Sequence, residues 1–591
     1  MARKNEQIEP DAIKKALDHA TELKNMYSDR DTMFDEMDKM YFMEWEDKPK
    51  DPNMKFTMSP GPRNALLGAT RLLSSTEPIF SVPHQDNMPD IQGKADKIEK
   101  LCRSIWYHSG RFRGVPLEQP AIESMLRYGM MVLAAFDTDD LVSDMSSGSS
   151  KAQKRQMERV QASTPYIIEA WDPKSVYPQW GRFGLSAVYR EVDITVSDAK
   201  QRFGLDAIAN IIGNANDAMI VQYADYWDLT YHFAWISSVN ARADTTLAGE
   251  PIISKPHNLP CIPIVVQTAE GSYLDDTRYQ AIPFLYTVNQ AKLWERENLI
   301  LTYGYTNLFS MAGNPTYKLE GAIEGDEVYI DTAVPGGIVR TKAGSKISPL
   351  EKDVFNKDLT LGMDLANRLM EQSTIYGPAL GEPMGSGTAF STVALLHQAG
   401  RLPLASAQKR GGWGIGSIME TVFELWKDKA LTDNKARERK AISKTGTIDF
   451  NAKKDIPDNL IIEATLDVDL PQDMVSQATI AAQMRGLMPE SWIRENLLNE
   501  GQSEEIVKQI WTETASKAMF EAGLQKSIQD MMQPTQTPGQ TQGQMPGQMQ
   551  GQPQMQNLGM RGRAMVPASR PGMQPTSMGE PQGMQEGEVI P

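Results

Sequence analysis

A chain of 591 residues is long enough for several hydrophobic cores, and its 60 Lys and Arg against 76 Asp and Glu leave a formal charge of −16. Such a balance argues against tight nucleic-acid binding by the chain as a whole, because that affinity comes from Lys and Arg replacing counterions on phosphates. Two cysteines, Cys102 and Cys261, exclude a disulfide framework and suit a reduced compartment, while the polar start Met1–Gln7 and the lack of any run near the roughly 18 apolar residues of a membrane span lead us to expect neither secretion nor a membrane.

Ala12 to Tyr41 has helical periodicity, with Ile13, Leu17, Ala20 and Leu23 or Lys24 on one side. Further helices are expected over 94–107 and 118–128, the second passing through Gly129 into a buried strand that reaches Phe136. Asp137, Asp139 and Asp140 follow; clustered carboxylates can hold a cation, and a strand-end turn explains them as well. From 143 to 163 the chain is polar, Ser- and Gly-rich and then charged at Lys151, Lys154, Arg155, Glu158 and Arg159. This cluster could touch DNA or a scaffolding partner, but a solvated surface helix is the reading we favour. Segments 166–177, 187–194 and 218–235 alternate apolar and polar residues and are expected to share one sheet.

Asp275 to Phe309 places Val288, Ala291, Trp294, Leu301, Tyr305 and Leu308 on one helical face, with Pro283 in its first turn or at a kink. Short extended runs, 316–319, 327–330 and 337–341, then alternate with glycines and prolines as in a small β insert. Ser348-Pro349-Leu350-Glu351 predicts a helix start, with Ser as N-cap, Pro at the first helical position and Glu returning a hydrogen bond. Val354, Leu361, Leu365 and Leu369 carry that helix to about Ile375, where Gly377-Pro378 stops it. A glycine-rich loop follows, and then a helix from Thr388 towards Lys429 with a kink expected around Gly411, Gly412, Gly414 and Gly416. Beyond Asp449, an extended run at 461–469 precedes Leu470-Pro471-Gln472-Asp473, a helix, and Gly486 to Trp492. In the final stretch, 533–591, Gln, Gly, Pro and Met fill 40 of 59 positions, too few large side chains to offset ordering entropy, so it is expected to be disordered in isolation.

Catalytic chemistry is hard to find. The six His residues are not paired at metal-ligand spacing, and no Walker A sequence is present. Gly385 to Thr388 and Gly412 to Ser417 resemble phosphate-binding turns only superficially, so a helix-breaking or close-packing role fits them better. We expect no catalytic residue, no cofactor and no metal.

The order helix, β insert, helix, loop, helix over 275–426 resembles the tailed-bacteriophage portal protein (head-to-tail connector) family. The helix and strand over 62–82, the strand over 257–266 and the pattern over 461–492 are similar to the same family. The resemblance covers roughly residues 10–530 and lies in pattern and order. It implies an α+β protomer in a closed ring, with an N-terminal wing (1–274), a first stem helix (275–311), a clip (312–347), a second stem helix (348–376), a tunnel loop (377–387), a long helix with wing strands (388–470), a helical crown (471–532) and the tail (533–591). It also implies a homo-oligomer, usually a dodecamer, passing double-stranded DNA without sequence specificity. Its partners would be a terminase motor, a head-tail adaptor, and capsid and scaffolding proteins, at the capsid vertex of a virion assembled in host cytoplasm. Gly377, Pro378, Gly381, Glu382, Pro383, Gly385 and Gly387 would stand in the loop near DNA, and Lys342 and Lys346 in the clip would dock partners. An adaptor or internal scaffold is the alternative, distinguishable by electron microscopy, and an enzyme with a scattered site is the third reading, open to an activity screen.

Overall fold

The computed structural model describes residues 10–46, 48–50, 54–83, 89–143, 151–203, 216–236, 251–257, 259–272, 274–313, 317–320, 329–330, 339–340, 346–349, 357–374, 402–433, 438–443, 446–466, 511, 515–517 and 519–520. The helix expected over 12–41 is two helices, α1 (Pro10–Met26) and α2 (Ser28–Phe42). They part at Tyr27, whose hydroxyl donates to Pro178 O at 2.7 Å, while the Thr277 hydroxyl takes the carbonyl of Met26 at 2.8 Å. Tertiary partners thus satisfy groups that an unbroken helix would have paired internally. Next come α3 (Gly61–Leu73), β1 (Ile79–Ser81), α4 (Pro89–Arg113) and α5 (Glu118–Tyr128), and then β2 (Met130–Asp137). Gly129 joins α5 to β2 at φ 72°, and a Cβ there would lie 2.4 Å from the carbonyl carbon of Ile282, so the junction requires glycine on both counts.

The chain continues through α6 (Thr138–Ser143), α7 (Lys151–Ser163), β3 (Tyr166–Trp171), β4 (Val176–Gly181), β5 (Gly184–Thr195), α8 (Val196–Phe203), β6 (Ile220–Asp228), β7 (Tyr231–Ile236), β8 (Ile253–Pro256) and β9 (Ile264–Thr268). These strands form two antiparallel sheets rather than the one expected. A three-stranded sheet, β3-β2-β9, sets Val132 opposite both Trp171 and Val266. A five-stranded sheet follows sequence order from β4 to β8. Its two faces are both apolar: α1 covers Tyr189, Tyr226, Phe233 and Trp235 with Ala16, Ala20 and Leu23, and α8 covers Val221, Tyr223 and Ile236 with Ala199. The 166–171 run leaves this sheet because β2, a nearly continuous buried run, needs partners on both edges.

Short helices α9 (Thr277–Gln280) and α10 (Tyr286–Gln290) precede α11 (Leu293–Gly313), so the long helix expected from Asp275 is in three pieces, with Lys292 at φ 51° between the last two. The insert holds β10 (Tyr317–Glu320), β11 (Tyr329–Ile330), β12 (Val339–Arg340) and β13 (Lys346–Pro349), and α12 (Lys357–Ser373) follows. The capping-box reading at Ser348 is overturned: Ser348 pairs with Lys318 and Pro349 with Tyr317 in a β ladder, and cross-strand pairing overrides the local helix signal. After a short 3-10 turn, α13 (Ala405–Thr432) runs uninterrupted through the glycines where a kink was expected, and Thr388 to Arg401 lie outside the described residues. It packs against β2, β9 and α5. The hairpin β14 (Glu438–Ser443) and β15 (Gly446–Asn451), α14 (Ala452–Asp455) and β16 (Glu463–Thr465) complete the described fold, β16 pairing with β1 so that Phe80 faces Ala464.

Residues 1–501 form one compact unit and 502–591 a second. In the second, the described residues, Trp511, Ala515–Lys517, Met519 and Phe520, are helical; the rest of the crown and tail expectations lies outside the described residues. Among the described residues no helix is long and apolar enough to cross a membrane.

Candidate functional site

The helix pair α11 and α12 and the strands between them form the region that the sequence singled out. On α11 the expected apolar face is only partly the buried one. Val288, ahead of it, and Trp294 are buried, but Ala291 and Tyr305 are exposed and Leu301 is half-buried, while the side chain of Leu308 lies outside the described residues. Buried instead are Glu297, Asn298 and Thr302. These polar side chains face an extended strap, residues 54–59, laid along the helix. Trp294 Nε1 donates to Ser59 O at 3.0 Å, Asn298 Oδ1 accepts from Ser59 N at 2.8 Å, and Thr306 Oγ1 accepts from Lys55 N at 3.0 Å. Between them the Thr302 hydroxyl accepts from Thr57 N at 3.2 Å and donates to Thr57 O at 3.3 Å.

The match has a simple cause. Four residues of helix rise about 6.0 Å and two residues of extended chain about 6.6 Å, so side chains spaced by four meet backbone groups spaced by two. Residues 294, 298, 302 and 306 therefore read 59, 57 and 55 almost in step. Glu297 Oε1 also accepts from Ser59 Oγ at 2.8 Å; burial pushes the Glu297 carboxyl above its usual range, and the Ser59 hydroxyl partly offsets this. The strap was missed at the sequence level, although Asn298, Thr302 and Thr306 at spacing four, with Lys55, Thr57 and Ser59 at spacing two, carry the signal.

α12 returns along α11. Its Gly362 is close enough that a Cβ would sit 3.8 Å from Ile300 Cδ1, and Met370, two turns on, is buried. The strands between the helices are nested, an outer ladder of β10 with β13 enclosing, in sequence, an inner ladder of β11 with β12. Outside, the helix pair carries large apolar side chains in water: Leu361 is 71%, Leu365 56% and Leu369 37% exposed on α12, and Tyr303 45% and Tyr305 51% on α11. Phe56 and Met58 on the strap are exposed as well.

Gly377, Pro378, Gly381, Glu382, Pro383, Gly385, Gly387 and Lys342 lie outside the described residues. Lys346 begins β13, in register with Glu320. Asp137, Asp139 and Asp140 end β2 and open α6, where cations of the chain itself neutralise them. Lys429 Nζ stands 2.9 Å from Asp137 and 2.7 Å from Asp140, and Arg439 binds Asp137 and Asp139. Burial opposes the Lys429 charge, but the two carboxylates outweigh it and hold the ammonium above its ordinary value. This geometry favours the strand-end turn over a cation site, and among the described residues no group of His, Cys, Asp and Glu is arranged to hold a metal. Gly412 and Gly416 serve close packing: Cβ atoms there would lie 2.2 Å from Ala464 O and 2.3 Å from Ile462 O. Cys102 is buried and Cys261 half-buried, and burial pushes both thiols up, Cys261 to about 12. On α7, Lys154, Arg155 and Arg159 are exposed and Val160 is buried, so the helix lies at the surface with its cations outward.

No family model matches the chain, and no curated protein matches it. Solved structures do. The chain is similar to one in the neck of an empty GTA particle computed with C6 symmetry, at 11% identity and a TM-score of 0.39, covering 75% of this chain and 90% of that one. For a chain in the neck of a native GTA particle computed with C12 symmetry the values are 11%, 0.36, 74% and 89%. For one in the virion of a native gene transfer agent particle, coverage is 75% and 90% at 12% identity and a TM-score of 0.36.

Proposed function

We propose that this chain is the protomer of a portal, a closed ring at a capsid vertex through which double-stranded DNA is packaged and ejected. The observation that carries the reading is the paired helices α11 and α12, joined by nested β ladders, with polar side chains turned inward to a strap and large apolar side chains left in water. A helix pair with that inversion suits a subunit whose neighbours cover it in a ring. In this reading the helices are the stem and the ladders the clip, where Lys342 and Lys346 dock a terminase motor and later a head-tail adaptor. The loop with Gly377, Pro378, Gly381, Glu382, Pro383, Gly385 and Gly387 acts as a steric collar on DNA, since Glu382 is its one charge and gives no means of neutralising phosphate. Energy comes from the separate motor, and the acidic body lets DNA slide rather than stick.

Solution mass measurement with negative-stain imaging tests the proposal. Twelve copies of a 65.8-kDa chain should give a closed ring of about 790 kDa. A stable monomer under all salt and concentration conditions would overturn it.

A further inference from the structure

One face of the molecule departs from the acidity of the whole. In a chain of charge −16, α4 holds six cations against three carboxylates, and α7 holds four against one. Distant in sequence from both, β14 adds Arg439 and Lys440. The fold packs these three elements together: His108 Nε2 on α4 lies 2.7 Å from Ile442 O of β14, Ser104 donates to the same carbonyl at 2.9 Å, and α7 packs against both.

While Ser104 and His108 are buried, the cations point outward. Lys154, Arg155 and Arg159 on α7, Arg111 on α4 and Lys440 on β14 are all exposed. Arg439 is not part of this exposed set, being held by Asp137 and Asp139. Among the described residues, the exposed carboxylates of the three elements are Asp96 on α4, Glu158 on α7 and Glu438 on β14, fewer than the exposed cations; Asp449 stands 3.4 Å from Lys440 in a pair open to solvent, where screening leaves little attraction. Among the described residues of the three elements, Ile442 is the one large apolar side chain left exposed. A protein partner needs a cluster of aromatic or aliphatic anchors at the centre of its footprint, and this face has none. Flexible cationic side chains without anchors suit a regularly charged polyanion.

We propose that the face formed by α4, α7 and β14 holds double-stranded DNA through its phosphates, without reading sequence. Affinity is then in the non-specific range, about 10⁻⁴ to 10⁻⁶ M, and steeply dependent on salt. The acidic remainder of the chain confines DNA to this face.

The test is fluorescence anisotropy of the full chain with a short labelled duplex of mixed sequence, from about 50 to 200 mM salt. The triple variant Lys154→Glu, Arg155→Glu, Arg159→Glu should bind at least ~10-fold more weakly at the low-salt end, with the slope of log affinity against log salt shallower by about 3. Circular dichroism and solution mass should match the unaltered protein, whether or not that protein is a ring. A second triple variant with Gln at the same positions should fall between the two, which guards against a folding defect. Unchanged affinity and slope in both variants would overturn the proposal. So would a poly-glutamate chain of matched charge that binds this face more tightly than the duplex, an outcome that assigns it to an acidic protein segment.

Discussion

Gly412 and Gly416 lie four apart on α13, and each faces a backbone carbonyl, Ala464 O and Ile462 O, at a distance where no Cβ fits. A helix interior ordinarily gains about 1 kcal/mol when glycine becomes alanine. Here the added methyl must push apart a helix and either β16 or the residue just before it, and backbone cannot rotate away as a side chain does. Gly412→Ala and Gly416→Ala should therefore each lower stability by about 1–3 kcal/mol, read by thermal or denaturant unfolding. Gly362→Ala on α12 is the control, since its Cβ would meet Ile300 Cδ1 at 3.8 Å, an ordinary contact, and it should not destabilise. Equal stability of the Gly412 variant and the unaltered protein would mean that the strand segment yields freely. Space also explains why these glycines misled the sequence reading: intrinsic propensity predicts a kink, whereas close packing keeps the helix running.

The strap on α11 is held by side-chain hydrogen bonds to backbone, and Thr302 makes two of them to one residue, Thr57. Thr302→Val keeps the shape of the side chain and removes both, leaving a half-buried N–H and C=O without their partner. The expected loss is about 1–3 kcal/mol, with amide hydrogen exchange quickening at Thr57 and Ser59 and unchanged in β2. Unaltered exchange at Thr57 would show that the strap stays docked without this hydroxyl. Elements whose cause is local were legible in the sequence: α5 ends and β2 begins at Gly129, as periodicity and glycine predict, whereas α3 leading to β1 was expected only from the family resemblance. Elements decided by distant partners were not. Ser348 and Pro349 follow a helix-start pattern yet pair with Lys318 and Tyr317, and the buried side of α11 is polar because an extended chain, not a hydrophobic core, lies against it. No window of α11 alone contains that information. The glycine-rich loop over 377–387 was singled out only by its place between two expected helices, and it lies outside the described residues.

At the scale of the whole molecule, the helix pair leaves unanswered what covers its apolar flank. Leu361, Leu365 and Leu369 are four apart on α12 and so form one line along the helix, beside the Gly362 and Met370 line that meets α11. In a single copy Leu361 and Leu365 contribute little to folding, because they are already largely in water, while Leu369, at 37% exposed, is mostly covered by the chain itself. In a ring each would be withdrawn from water by a neighbour, at about 1.5–3 kcal/mol for a fully buried leucine and less in proportion to what is already covered. A closed ring multiplies that difference, since every copy contributes the same contact. Replacing Leu361 and Leu365 by serine should accordingly leave circular dichroism and the thermal unfolding of the isolated chain nearly unchanged, while the ring expected at about twelve copies gives way to monomers or open fragments in solution mass measurements. Two results would tell against this account of assembly. Rings of unaltered mass and salt resistance would put the leucines in contact with solvent and move the interface elsewhere, and a collapse of the monomer's own structure would show that the stripe packs within the chain rather than between copies.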